Sequence, residues 1–329
     1  MSGVATTEAG SNGEPIVSIV IVTWKSRHLI DRCLAPLAGH DETIEVLVHD
    51  NDSPDGTAEY IATNYPWVRL TSGKENLGFG RANNALFALC RGRYVLMLNP
   101  DAFLDDLEPV NAMAKHLDVA PSVAIVGPQL VHEDGRHQVG DGGWRTTLRS
   151  ITGHAFWIHR ALPSVPSIYI ANPKLLSRDL VDVDWICGAC LMARREVLEE
   201  VGGFADDIFM YGEDVDLGVR VKQRGHRVVY LPRFKVLHVQ GATQKADGAV
   251  HYSARWMDAR AHRFARERSR SSYWMLKAIL AAGFGMRSAL LALVGIVKPG
   301  ARAPSKMMGR FAAHAASLPS YDAQRVSSV

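Results

Sequence analysis

Residues 16–23 read Ile-Val-Ser-Ile-Val-Ile-Val-Thr, a run in which every residue except Ser18 is β-branched. Such a run offers no polar face to water, so it fits a strand covered on both sides, as in the middle of a parallel sheet. Parallel strands need crossover connections, and the sequence supplies them. A helix-type pattern covers about 26–37, a second strand 44–49, and a helix ends near residue 64. A short strand at 67–71, a helix over 78–91 and a fourth buried strand at 94–98 follow. Strands alternating with helices at this spacing predict an α/β fold on a doubly wound sheet. Further strands are expected at 123–131, 185–193, 227–231 and 235–239, with a short helix over 195–201 and another from about 213 to 224. The first strand is not followed by the Gly-x-Gly-x-x-Gly of dinucleotide-binding folds, which argues against a plain dehydrogenase.

With 329 residues, 47% of them hydrophobic and 22% charged, the chain has ample material for a core and is not of disordered composition. Its four cysteines do not make a disulfide framework. Cys187 and Cys190 have Cys-x-x-Cys spacing, yet no second Cys or His pair at metal-site spacing accompanies them, so they read as small residues on a strand. Residues 1–14 are polar and lack an apolar stretch of signal-peptide type; they read as a flexible tail, with the body in the cytoplasm.

In doubly wound sheets ligands gather at the carboxyl ends of the strands. Here those ends carry Thr23, Asp50 and Asp101: a hydroxyl and two acids on one rim, suited to a nucleotide and a metal. Asn51, Ser53 and Asp55 read as turn formers instead, Asp55 with N-cap character. A third acidic group, Glu213, Asp214 and Asp216, stands at the start of a helix, where the dipole alone would favour carboxylates. Helical spacing separates them. Asp214, Leu217, Gly218 and Val221 share the apolar face, whereas Asp216 and Arg220 make an i, i+4 pair of the exposed kind.

Six segments in this order resemble the family-2 inverting glycosyltransferases: 50–57 (Asp-Asn-Asp-Ser-Pro-Asp-Gly-Thr), 75–84 (Glu-Asn-Leu-Gly-Phe-Gly-Arg-Ala-Asn-Asn), 98–101 (Leu-Asn-Pro-Asp), 202–204 (Gly-Gly-Phe), 211–217 (Tyr-Gly-Glu-Asp-Val-Asp-Leu) and His238. The resemblance covers roughly 16–243, and within the family it is nearest to bacterial rhamnosyltransferases acting on polyprenyl-diphosphate-linked N-acetylglucosamine. It implies a GT-A fold, here over 15–245, a nucleotide-diphosphate sugar donor with dTDP-L-rhamnose favoured, and Mg²⁺ or Mn²⁺. Carried onto this chain, Asp50 accepts a hydrogen bond from the base, with Thr23 nearby, and Arg81 approaches base or diphosphate. Asp101 becomes the metal-binding acid of the family's Asp-x-Asp motif, whose first acid is Asn99 here, and His238 a further metal ligand. An amide at 99 removes one charge and binds a metal only through its oxygen. Asp214 is then the base that takes the acceptor's proton, with Glu213 as positioning group or second choice. The aromatic-rich segment 140–182 is expected to form a lobe over the acceptor side. Donors such as mannose, galactose or galactofuranose nucleotides are alternatives, as is a non-catalytic membrane-bound partner, for which Asn99 is the only support.

The C-terminal part differs in character. Between Arg255 and Arg310 twelve Lys or Arg stand against two acids, so although the chain is +3 overall the rest is net acidic. An apolar stretch over 273–297 exceeds the ~20 residues that span a bilayer, but Lys277 and Arg287 interrupt it. On one continuous helix Arg270, Lys277, Arg287, Ser288 and Lys298 fall within an arc of roughly 100°. This predicts that 246–316 is a basic amphipathic helical region lying on an anionic membrane, with the basic arc toward lipid phosphates and with a bent helical pair as the alternative to one helix. The same helices could instead be a core element or pair copies of the chain into a homo-oligomer. Nothing resembles a nucleic-acid recognition motif, so no nucleic-acid partner is expected. The acceptor implied is polyprenyl-linked, the location is peripheral on the cytoplasmic side of the cell membrane, and 317–329 is expected to be a flexible tail.

Overall fold

A computed structural model describes residues 13–39, 41–162, 164–208, 210–239, 241, 254 and 256–326. Most of the tail expected over 1–14 and the first residues of the expected C-terminal region lie outside them. Eleven strands are present among the described residues: β1 (Val17–Thr23), β2 (Ile44–Asp50), β3 (Arg69–Ser72), β4 (Tyr94–Leu98), β5 (Ala102–Phe103), β6 (Val123–Val131), β7 (Gly142–Gly143), β8 (Val181–Val183), β9 (Trp185–Ile186), β10 (Cys190–Arg194) and β11 (Arg227–His238). Nine form one mixed sheet in the order β3-β2-β1-β4-β10-β6-β11-β5, with β8 also on β11; β7 and β9 make a small second sheet. β1 to β4 are mutually parallel, while β10 enters antiparallel between β4 and β6.

The opening run of the chain sits where its composition requires. Val17, Ile19 and Ile21 join one hydrophobic core and Val20 the other, so both faces of β1 are covered. Ser18, its single polar interruption, is fully buried; its hydroxyl donates to Glu45 at 2.6 Å and accepts from the Gly92 amide at 2.8 Å. That approach leaves no room at 92 for a side chain, because a Cβ there would stand 2.5 Å from the Ser18 nitrogen.

Several expected boundaries shift. The pattern over 26–37 condenses to a helix at Ile30–Leu34 with a 3-10 turn at Ala35–Leu37. The two strands expected at 227–231 and 235–239 are one, β11, whose register against β6 slips between Leu231 and Lys235. The strand expected over 185–193 is two, broken around Gly188. A helix at Glu108–Val119, packed on β6, was not read from the sequence. The segments 75–84 and 202–204 prove to be one joint: Asn84 donates to the Phe204 carbonyl and accepts from its amide, at 2.9 and 2.8 Å. A Cβ at Gly203, where φ is +66°, would lie 2.3 Å from the Asn84 oxygen.

The C-terminal region is not an appendage. Helices Trp256–Glu267, Arg270–Val297 and Arg302–Ser317 build a third core, centred on Phe264, Tyr273, Leu276, Phe284 and Phe311, that takes in Ile151 and Ile168 from the expected 140–182 lobe. Arg270–Val297 is a single helix. Its Gly283 lies against the helix Leu148–Ala155 so closely that a Cβ would be 2.6 Å from that of Ala155.

Two expectations are corrected here. The middle of the basic arc faces inward while its ends, Arg270 and Lys298, are exposed: Lys277 and Arg287 are buried, Lys277 donating to the Leu318 carbonyl and Arg287 to that of His154, with the Arg287 guanidinium over the rings of Trp157 and Phe284. Long cationic side chains can be buried when their stems pack on apolar atoms and their heads reach carbonyl oxygens. Residues 317–326 are structured rather than a tail: Leu318 is buried, Tyr321–Val326 is helical, and Asp322 pairs with Arg270.

Candidate active site

The carboxyl ends of β1 and β2 meet in register, which sets Thr23 opposite Asp50. Asp50 is almost wholly buried. Its Oδ1 accepts from the Thr23 hydroxyl at 2.8 Å and the Ser53 hydroxyl at 2.6 Å, and its Oδ2 accepts from the Ser53 amide at 2.8 Å. Thr23 and Ser53 therefore hold the carboxylate still, leaving an outer lone pair of Oδ2 for a further donor. Asp55 takes Thr57 and the Arg27 amide, as a turn residue does. Asn51 bridges to the Leu77 amide and the Gly78 carbonyl, tying this loop to the start of the helix Phe79–Phe87, on which Arg81 is exposed.

β4 delivers Asn99 and Asp101 to the same rim. The Asn99 amide donates to the Ala189 carbonyl at the break between β9 and β10. β5 then pairs antiparallel with the end of β11, placing Ala102 opposite His238. That register brings His238 Nε2 to 3.3 Å from Asp101 Oδ1, with both side chains about nine-tenths buried. The other ring nitrogen, Nδ1, lies 2.6 Å from Gln138 Oε1. Among the described residues no group of three or more His, Cys, Asp or Glu is disposed to hold a metal. One carboxylate and one imidazole nitrogen fit a divalent cation that takes its remaining ligands from a bound diphosphate.

The helix Glu213–Gln223 starts from Tyr211 and Gly212, both at positive φ, +70° and +108°. Its buried face carries Leu217, Gly218 and Val221; a Cβ at Gly218 would fall 2.4 Å from the Asp184 carbonyl oxygen, so the helix lies tight on the start of β9. This contact aims Asp214 at the strand break. Asp214 Oδ2 accepts from the Gly188 amide at 3.4 Å and Oδ1 from the Val215 amide at 2.7 Å. Asp214 thus stands one residue from Ala189, which binds Asn99. The structure places Asp214 and the Asn99–Asp101 segment on either side of one short stretch of backbone.

Glu213 and Asp214 differ in environment. Burial, with the neighbouring Asp214 charge, pushes Glu213 up to about 8, and its Oε2 has no hydrogen-bond partner. Burial also raises Asp214, but two backbone amides and the positive charge of Arg260 oppose it. Arg260 thus acts on Asp214 as a cationic counterweight that Glu213 lacks. Arg260 comes from the C-terminal helix Trp256–Glu267 and is itself buried. Its guanidinium lies 5.1 Å from the Trp185 ring centre and 5.3 Å from that of Tyr169, and it donates to Thr146 Oγ1 at 3.0 Å. Neither Arg260 nor Gln138 was singled out from sequence: each meets its partner across more than forty residues, and neither belongs to a local motif.

Asp216 is not the exposed partner of Arg220 expected from the helical spacing. It is clasped by Arg220, at 2.5 Å, and by Arg263 of the C-terminal helix, so it links two elements. A cavity of about 380 Å³ lies beside this clasp, lined by Gly212, Val215, Asp216, Val219 and the facing helix. Asp214 is not among the residues that line it. Cys187 and Cys190 are free thiols, Cys190 on β10 as the strand reading expected.

Comparison with known proteins adds the following. The family described as glycosyl transferase family 2 matches residues 18–202, and glycosyl transferase family 21 matches 169–309. The chain is 30% identical over 255 residues to the N-acetylglucosaminyl-diphospho-decaprenol L-rhamnosyltransferase of Mycobacterium tuberculosis, covering 73% of this chain and 81% of that protein. It is 27% identical over 237 residues to rhamnosyltransferase WbbL of Escherichia coli K12, covering 68% of this chain and 83% of the relative. Among solved structures, a mannosyltransferase from Pyrobaculum calidifontis in complex with GDP-Man and Mn²⁺ superposes with a TM-score of 0.56 at 19% identity, over 94% of this chain and 88% of the other. That likeness identifies the fold as GT-A.

Proposed function

The chain belongs to glycosyl transferase family 2, and from that premise we propose that it is an inverting enzyme moving L-rhamnose from dTDP-L-rhamnose to a saccharide on a polyprenyl diphosphate, in cell-envelope polysaccharide synthesis. The sugar follows the names of its rhamnosyltransferase relatives and the acceptor that of the Mycobacterium tuberculosis relative, and the dTDP carrier follows the family resemblance. The observation that carries the chemistry is the placement of Asp214, held by the Gly188 amide and facing the charge of Arg260, beside the strand break whose Ala189 carbonyl accepts from the Asn99 backbone N–H.

Asp50 receives the N–H of the base, held by Thr23 and Ser53, and Arg81 approaches the diphosphate. Asp101 and His238 would hold Mg²⁺ or Mn²⁺, which when bound neutralises charge on the departing nucleoside diphosphate. Asp214 accepts the proton of the acceptor hydroxyl as that oxygen attacks the anomeric carbon from the face opposite the leaving group. One displacement inverts the centre, so a β-L-rhamnosyl donor gives an α-rhamnoside.

A lipid-linked acceptor calls for a membrane surface, and the outward face of the helix Arg270–Val297 supports peripheral docking on the cytoplasmic side, where the nucleotide sugar is met. Leu290, Leu293, Val294, Ile296 and Val297 are exposed near its end, and Lys298, Arg302, Lys306 and Arg310 are exposed on the residues that follow. The apolar side chains would enter the lipid and the cations would meet anionic headgroups.

The test is a donor panel on full-length protein with a polyprenyl-diphosphate-linked N-acetylglucosamine acceptor in liposomes. dTDP-L-rhamnose should outperform UDP-galactofuranose and GDP-mannose by at least ~10-fold, and EDTA should abolish transfer until Mn²⁺ is restored. Preference for a UDP- or GDP-sugar would overturn the donor assignment, and transfer insensitive to EDTA the metal.

A further inference from the structure

We propose that Gln138 is a positioning residue for the metal site: it fixes the His238 ring with Nε2 bare and aimed at Asp101. The inference rests on the reading above that Asp101 and His238 hold a divalent cation.

Gln138 is buried, 4% exposed, and its place is set by backbone. Its amide donates to the Leu130 carbonyl at 2.9 Å, and the preceding residue, His137, bridges to Val131. His137 is further anchored by Asp141, at 3.0 Å, and Asp141 by the Tyr230 hydroxyl at 2.5 Å and the Leu130 amide at 3.1 Å. The side chain of Gln138 therefore projects from a braced segment onto the end of β11.

The chemistry of the contact decides the tautomer. An amide oxygen only accepts, so the 2.6 Å contact requires a hydrogen on His238 Nδ1. A neutral imidazole protonated there carries its lone pair on Nε2, which faces the Asp101 carboxylate at 3.3 Å. Nε2 and the Asp101 carboxylate thus converge as two ligand atoms for one divalent cation, and a ligand histidine needs its outer nitrogen tied in this way.

Mn²⁺ binding in the presence of dTDP, followed by the electron paramagnetic resonance of free Mn²⁺, reads the effect without turnover. Wild type should bind, His238→Ala should lose binding, and Gln138→Leu should weaken it by ~10–100-fold with metal-free dTDP affinity unchanged. Gln138→Glu, which keeps the acceptor, should remain within about threefold of wild type at pH 8, on the scale of a retained outer hydrogen bond. ¹⁵N chemical shifts of His238 in the wild type should report the Nδ1–H form, a readout independent of whether Gln138→Leu folds. A folded Gln138→Leu that binds Mn²⁺ as tightly as wild type, or a His238 ring protonated at Nε2, would overturn the inference. Equal uptake by wild type and His238→Ala, or none by wild type, would instead remove the metal reading beneath it.

Discussion

At residues 213 and 214 two carboxylates adjacent in sequence meet different surroundings: one oxygen of Glu213 faces no donor, while Asp214 accepts from two amides and feels Arg260. Asp214→Asn should keep donor binding while turnover falls roughly 100-fold or more, the scale of general-base catalysis; near-normal turnover would remove Asp214 from that role. Glu213 carries a pH signature of its own. Its folded pKa, about 8, lies above the ordinary 4.5, so between those values the folded state binds more protons than the unfolded one. Its contribution to stability therefore falls as pH rises through that window. Glu213→Gln should remove this slope, so that the variant's melting temperature gains on wild type between pH 5 and pH 8; a gap that does not change with pH would contradict the buried, protonated Glu213. The sequence pointed to Asp214 because helical spacing alone sets it with Leu217, Gly218 and Val221. It could not supply Arg260 or Gln138, whose importance exists only once strands and helices distant in the chain have met.

At the scale of elements, what could be read in advance was what depends on local pattern. β1, β2, β4 and β6 follow from their apolar runs, and the motif residues from their place after strands. The fusion of two expected strands into β11 was hidden, because Pro232 and Arg233 look like a terminus when the neighbouring β6 is not in view. The helix Arg270–Val297 shows a different limit. A helical wheel groups Lys277 and Arg287 but does not say whether that arc meets protein. The carbonyls of Leu318 and His154 draw both inward beside Tyr273, Leu276, Leu280 and Phe284, and a second set of apolar side chains near the helix end is left exposed. Membrane docking then depends on apolar insertion near the helix end as well as on charge. Leu293→Glu with Ile296→Glu should lower binding to anionic liposomes by ~10-fold or more, from the lost burial of two large side chains, without changing the melting temperature. Undiminished liposome binding by that double variant would exclude this face.

In the whole molecule, three cores are joined around one rim. The mixed sheet presents Asp50, Asn99, Asp101 and His238; the helix Glu213–Gln223 closes over the break at Gly188; and the C-terminal helices return to place Arg260 beside Asp214. The helix Arg270–Val297 shares one core with Ile151, Ile168 and the helix that carries Arg260, so under the proposed function the membrane-docking face and the acceptor side are joined through that core. The central claim is a single in-line displacement by an acceptor hydroxyl that Asp214 deprotonates. Its most direct test is the anomeric configuration of the product formed from dTDP-β-L-rhamnose on the polyprenyl-diphosphate-linked acceptor, read from the one-bond carbon–hydrogen coupling at the new linkage. The account predicts the α-rhamnoside alone; a β-rhamnoside would contradict it.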